Sequence, residues 1–185
     1  SAFLRTPLES VKIEAKKLTF TGDAAFLNTM QLSHIDLTGV DEIGLGKDGK
    51  RTFEINEYSN GGLSVLNRYV YFKNANAYEA MSSQFSGNTS TYYLVTNGGT
   101  VVGEQDGFNA VVKGGYTAEW HAEADLSDDA VATPKAGKVY YAKWTKSDNV
   151  TLTSDPAADS GTVTAAYDPN GAVTLSVQNP GADWL

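Results

Sequence analysis

From Val11 the chain alternates apolar and polar residues, Val11-Lys12-Ile13-Glu14-Ala15, the period-two pattern of a strand with one buried face. Leu18 and Phe20 extend the run, and Thr21-Gly22-Asp23 breaks it. Over residues 23–32 two periods overlap. In one reading Asp23 caps a short helix carrying Phe26, Leu27 and Met30; in the other, Met30 and Leu32 alternate as in a strand. Residues 38–50, rich in Gly and charge, read as a loop. Residues 51–55 read as a strand, Asn60-Gly61-Gly62 as a turn and residues 63–72 as a second strand, which predicts a hairpin with a long loop. Tyr78, Met81 and Phe85 recur at helical spacing and predict one helix over residues 76–85, its stripe facing the core. Residues 86–90 read as a linker. Near the end, two strand-like runs at 162–167 and 172–178 flank Asp168-Pro169-Asn170-Gly171, which suits a type I turn and predicts a hairpin.

Composition supports a mainly β chain, all-β to α+β. The 18 Gly, with Ser, Thr, Asn and Asp crowded between short apolar runs, supply turns for many short strands. Ten Tyr and seven Phe suit the half-buried surface of a sheet. The absence of Cys excludes disulfides and thiolate chemistry. A net charge of −8 disfavours nucleic acid and anionic membrane surfaces, which need a basic face. No stretch approaches the length of a membrane span, so membrane insertion is not expected. The charge is also uneven. Arg5, Lys12, Lys16 and Lys17 give the start a basic bias and are candidate assembly contacts, whereas no Lys or Arg follows Lys146. A solvated acidic tail is the plain reading of the latter, and a head-to-tail contact between the ends the sharper one. The opening Ser-Ala-Phe-Leu fits a cytoplasmic product trimmed of its initiator Met, and equally a chain from which a signal has been cut.

Between Tyr92 and Lys146 the residues follow a recognisable order. Tyr93-Leu94-Val95-Thr96-Asn97-Gly98-Gly99-Thr100 forms a strand and turn, and Gly115-Tyr116-Thr117-Ala118-Glu119-Trp120 a central segment. Leu126, Thr133-Pro134 and Gly137 follow, and Tyr140-Tyr141-Ala142-Lys143-Trp144-Thr145 closes the series. This pattern resembles the Listeria–Bacteroides repeat of internalin B-type surface proteins, with Glu119 where that family usually has Gly. The resemblance implies a non-enzymatic, β-grasp-like module. Independently of the name, Tyr116, Trp120, Tyr140, Ala142 and Trp144 have the alternation and the aromatic area to form the core of a small module. The chain then divides into an N-terminal β-rich region with one short helix (1–90), the β-grasp-like module (91–146) and a C-terminal hairpin extension (147–185).

Residues capable of chemistry form no constellation. His34 and His121 have no nucleophile elbow to serve, and His121, next to Trp120, is expected on the opposite face of its strand and exposed. Gly44-Leu45-Gly46-Lys47 and Asp48-Gly49-Lys50 lack phosphate-loop spacing and read as turns. Asp125, Asp128 and Asp129 lack the regular spacing of a calcium loop and read as a solvated acidic loop. Asp41 and Glu42 are adjacent in sequence, which in a strand would point them apart, so they form no facing carboxylate pair. Asn88 and Asn149 open glycosylation-type triplets, which carry meaning only in a secreted protein of a glycosylating host. No cofactor, metal or catalytic residue is assigned. The expected function is that of a non-catalytic structural subunit of a large assembly, with a tailed-phage virion protein (capsid decoration or tail) as the leading case. Its partners would be further copies or a capsid or tail protein, and an oligomer is expected in the assembly. On this reading residues 5–17 become ordered only on a partner. The alternative is an adhesion module, on a bacterial surface or secreted, that binds a host protein or glycan.

Overall fold

The computed structural model describes residues 3, 5–22, 25–26, 29, 31–47, 67–84, 90–103 and 107–147, together with the backbone of two strands at 162–167 and 173–178. The protein is mainly β. Its centre is a mixed sheet of six strands: β1 (Ser10–Phe20), β2 (His34–Leu45), β3 (Arg68–Phe72), β4 (Thr91–Val95), β7 (Tyr116–His121) and β8 (Val139–Lys146), in the order β1-β2-β3-β4-β8-β7. All neighbouring pairs are parallel except β7 with β8. The short strands β5 (Thr100–Val101) and β6 (Val111–Val112) pair with each other, as do β9 (Thr162–Tyr167) and β10 (Val173–Gln178), where the C-terminal hairpin is expected.

Parallel strands need crossover connections, and these cover the sheet. On one face Phe26 and Leu32 from the β1–β2 connection, and Ala77 and Met81 from the β3–β4 connection, pack over Ile35, Leu37, Val70, Phe72, Tyr93, Val95 and Tyr141. On the other, Ala110 and Val111 pack with Tyr71, Leu94, Trp120, Tyr140 and Ala142. Central strands buried on both faces lose their alternation, which is why β3 reads Arg-Tyr-Val-Tyr-Phe. The sheet and the first of these cores run without a break across the position near residue 90 where the sequence changes character.

Three expectations are corrected. The loop expected over residues 38–50 is strand as far as Leu45, with residues 48–50 outside the described set. A bulge in β2 hides it: Lys12 pairs with Asp36, but Glu14 pairs with Gly39, so two residues oppose Ile13 and the apolar positions change parity. Asp36 stabilises the bulge by accepting hydrogen bonds from the Thr38 amide (2.9 Å) and hydroxyl (2.6 Å). A Cβ at Gly39 would lie 2.8 Å from Glu14 Cγ, so the approach of the two strands there needs glycine.

The expected hairpin ending at Phe72 is replaced by parallel pairing of β3 with β2 on one side and β4 on the other; residues 51–66 lie outside the described set. β1 lies at the far side of β2 from β3. It is paired with β2 from Ser10 to Phe20, with Val11 and Ile13 against the core. The expected helix is shorter: α1 (Ala75–Glu79), capped by the Asn74 side chain on the Ala77 amide, then a 3₁₀ turn over Ser82–Gln84. Phe85 and the linker at 86–89 fall outside the described residues, as do Asp23, Leu27 and Met30 of the ambiguous segment.

Candidate interaction surface

The two edges of the sheet differ. At β7 the chain turns back on itself, and the Val131 amide donates to the Trp120 carbonyl at 2.7 Å, closing part of the outer edge. Asp128 fixes that loop. Its carboxylate accepts from the Ala122 amide (2.8 Å) and the Glu123 amide (3.3 Å), and lies 3.2 Å from His121 Nδ1. Desolvation pushes the Asp128 carboxyl upward, but these hydrogen bonds outweigh it and hold the group below the usual carboxylate range. His121 is therefore not exposed, as its position beside Trp120 suggests, but only 2% accessible. It ends a row running across the sheet through Leu37, Phe72, Val95 and Tyr141, and the returning loop seals that row. Asp128 is correspondingly a loop anchor rather than a solvated charge. Asp125 accepts from the Ser127 amide within the same loop, and Asp129 is exposed.

At β1 the opposite holds. Its strand pairing is with β2 alone, so among the described residues its other edge faces no strand. Three of the four cations singled out from the sequence, Lys12, Lys16 and Lys17, lie exposed on this strand; Arg5 precedes it, exposed, in a left-handed conformation (φ 55°). They do not form a purely basic patch. Lys12 pairs with Glu14 at 2.9 Å and Lys17 with Glu42 at 3.6 Å. Lys73 binds Asp41, drawing its carboxyl below the ordinary range first by the hydrogen bond and then by its charge, with Lys16 adding a smaller pull. Asp41 and Glu42 thus point to cations on either side, as adjacent strand residues should. Such exposed pairs are weak and salt-sensitive, so the lysines remain available to a partner's carboxylates. Asp41, Glu42, Ile43, Asn74, Asn76 and Ala77 line a cleft of about 320 Å³ beside this rim.

Sequence reasoning missed the row of rings on the Lys12 face. His34, Tyr69 and Tyr92 are register neighbours on three adjacent strands. His34 stacks on Tyr69 at 5.5 Å and Tyr69 on Tyr92 at 5.1 Å. Phe108 meets Tyr69 and Tyr92 edge-on. His34 Nδ1 also lies 2.8 Å from the Tyr71 hydroxyl, whose ionisation burial pushes well above the usual tyrosine range. Gly107 approaches the Tyr69 ring so closely that a Cβ there would fall on the ring atoms.

The five residues expected as a module core are placed as follows. Trp120, Tyr140 and Ala142 are buried in the second cluster, with Trp144 partly buried against it and bonded from Nε1 to the Thr96 carbonyl at 2.9 Å. Tyr116 is half-buried under Lys113, whose Nζ lies 4.6 Å from the ring centroid. Among the described residues no group of three or more His, Asp or Glu is gathered to hold a metal, and no helix is long and apolar enough to cross a membrane. No family model, curated protein or solved structure matches this chain.

Proposed function

We propose that this protein is a non-catalytic structural subunit of a large assembly, with a tailed-phage virion protein, in the capsid decoration or the tail, as its leading case. The observation that supports it is the asymmetry of the sheet, one edge partly covered by its own loop and the other an eleven-residue strand whose outer side meets no strand among the described residues. An open edge is a template for pairing with another chain, and lysines along it restrict pairing to partners that supply carboxylates. The state of the two histidines supports the non-catalytic part. His121 is sealed from solvent, and His34 is engaged in ring stacking and a tyrosine hydrogen bond.

A second reading, an adhesion module on a bacterial surface or secreted, draws on the His34–Tyr69–Tyr92 row and on the resemblance of residues 92–146 to the Listeria–Bacteroides repeat. Light scattering across a concentration series, with negative-stain imaging, tests the first reading. Defined oligomers, rings or tubes are the expected result. A chain that stays monomeric throughout removes the self-assembling form of the proposal, and saturable binding of a glycan or host protein by that monomer would replace it with the second.

A further inference from the structure

We propose that Asn97-Gly98 is a self-modifying site that the fold holds shut: a clasp on β8 keeps the Asn97 amide from succinimide chemistry, and conversion of that amide to an acid undoes the clasp. The assignment goes beyond the assembly reading and does not rest on it. An Asn followed by Gly is prone to lose its side-chain amide, because Gly leaves the backbone nitrogen after the Asn unshielded by a side chain. Gly98 is exposed, so solvent reaches the pair. The Gly98 nitrogen bonds to Asn97 Cγ, the Cγ–Nδ2 bond breaks, and ammonia leaves with the proton that the Gly98 amide gives up. Water then opens the cyclic imide at either carbonyl. One opening leaves aspartate; the other leaves isoaspartate, with the main chain rerouted through Cγ. Water is the only co-reactant.

The structure holds Asn97 out of that path. β4 pairs with β8 as far as Val95 with Tyr141, and the turn after β4 carries the contact on. Asn97 and Gly98 both have positive φ (47° and 90°), and the Gly99 amide closes the turn on the Thr96 carbonyl at 3.0 Å. Asn97 Nδ2 reaches across to donate to the Ala142 carbonyl at 2.8 Å. Trp144 Nε1 donates to the Thr96 carbonyl at 2.9 Å, and Gly99 lies so close to the Trp144 ring that a Cβ would strike it. Attack needs the Asn97 amide to rotate until Cγ faces the Gly98 nitrogen, and the bond to Ala142 prevents that rotation. The reaction therefore waits for the seam between β4 and β8 to open locally, and the converted fraction records those openings. Conversion then keeps the seam loose. An ionised carboxylate only accepts, so the new aspartate sets oxygen against the Ala142 carbonyl where a donor stood. Isoaspartate also lengthens the main chain inside a tight turn.

The test incubates the full-length chain at mildly alkaline pH, either folded or unfolded in guanidinium chloride. Peptide mapping follows the amide-to-acid mass change at Asn97 and separates it from Asn60-Gly61 and Asn170-Gly171. Conversion at Asn97 should be at least about tenfold slower in the folded chain. Trp144→Phe removes the indole donor and should convert several-fold faster than the natural chain, with far-UV circular dichroism showing the strands intact. Asn97→Asp, and converted molecules isolated by ion exchange, should share a red-shifted tryptophan emission as Trp144 loses its cover. Equal rates in the folded and unfolded chain would overturn the inference, as would an Asn97→Asp chain with unchanged emission and melting temperature. A folded Trp144→Phe chain converting at the natural rate would overturn the role of the clasp. Should Trp144→Phe not fold, the natural chain, folded against unfolded, decides alone.

Discussion

His121 Nδ1 lies 2.9 Å from the backbone carbonyl oxygen of Asp128 and 3.2 Å from its Oδ1. Both partners are acceptors, so Nδ1 carries the proton and the ring locks the returning loop onto the end of the sheet. Removing the ring leaves a void and takes its donor from the Asp128 carbonyl, while the carboxylate keeps the Ala122 and Glu123 amides. His121→Ala should cost about 2–4 kcal/mol in chemical denaturation. An unchanged midpoint would mean that the loop does not depend on this contact.

The same loop sets an acid dependence. Because the folded Asp128 carboxyl sits below its ordinary value, its contribution to stability is complete above about pH 4 and declines as pH falls through the folded value. Asp128→Asn should therefore have a lower melting temperature than the natural chain at neutral pH, with the gap narrowing toward pH 2. A pH-independent gap would assign the effect to shape rather than charge.

Buried tyrosines set the alkaline limit. Burial raises the Tyr141 hydroxyl to about 12, and Tyr71 and Tyr78 are raised for the same leading reason. An acid whose folded value is raised leaves stability intact below about pH 10 and erodes it as pH climbs toward the folded value. An ultraviolet absorbance titration should show a late-ionising set of tyrosines whose transition coincides with loss of circular dichroism. Full ionisation of all ten Tyr before any unfolding would contradict the burial of these three.

Gly107 and Tyr69 form a pair in which neither can change alone. Gly107→Ala drives a methyl into the ring and should destabilise by about 1–3 kcal/mol. Shortening the ring with Tyr69→Val in the same chain should recover part of that loss. Additive effects in the double-mutant cycle would show that the two do not touch.

Arg68 is wholly buried, and its guanidinium donates to the carbonyl oxygens of Thr29 (2.7 Å) and Leu32 (2.8 Å), tying the β1–β2 connection to β3. Desolvation lowers it to about 10, yet it remains charged at neutral pH. Arg68→Ala should cost roughly 3–5 kcal/mol, and Arg68→Lys most of that, because an ammonium lacks the planar fork that reaches both carbonyls. A fully stable Arg68→Lys chain would rule out the fork geometry.

How much of this was legible in the sequence depends on what each strand faces. β1 was readable because one of its faces is polar, and the hairpin at β9 and β10 because a turn signal separates two short runs. β3 and β4 announce themselves as strands, but apolar runs buried on both sides carry no mark of direction, so parallel pairing was invisible. β2 disappeared behind its bulge, Gly39 and the charged pair at 41–42. The β1 lysines could be named from sequence, but their carboxylate neighbours on β2 could not. The ring row depends on the register of three strands far apart in the chain, and the one local hint was a Tyr near the start of both β3 and β4. For His121 the hint was an acid seven residues on, in a loop short enough to fold back.

The placement of β8 beside β4 has a consequence in time. Three strands lie between them in sequence, so the edge of β4 stays bare until the chain through Val139 has been made. At ordinary elongation rates the interval from Val95 to Val139 lasts roughly 2–9 s. Throughout it, a nascent chain carries a strand with one bare edge, containing Tyr92, Tyr93, Leu94 and Val95. Neighbouring ribosomes on one message bring such strands close together, before the hairpin of β7 and β8 arrives to cap them. Yield in a cell will then follow translation speed and ribosome spacing more closely than the stability of the finished molecule.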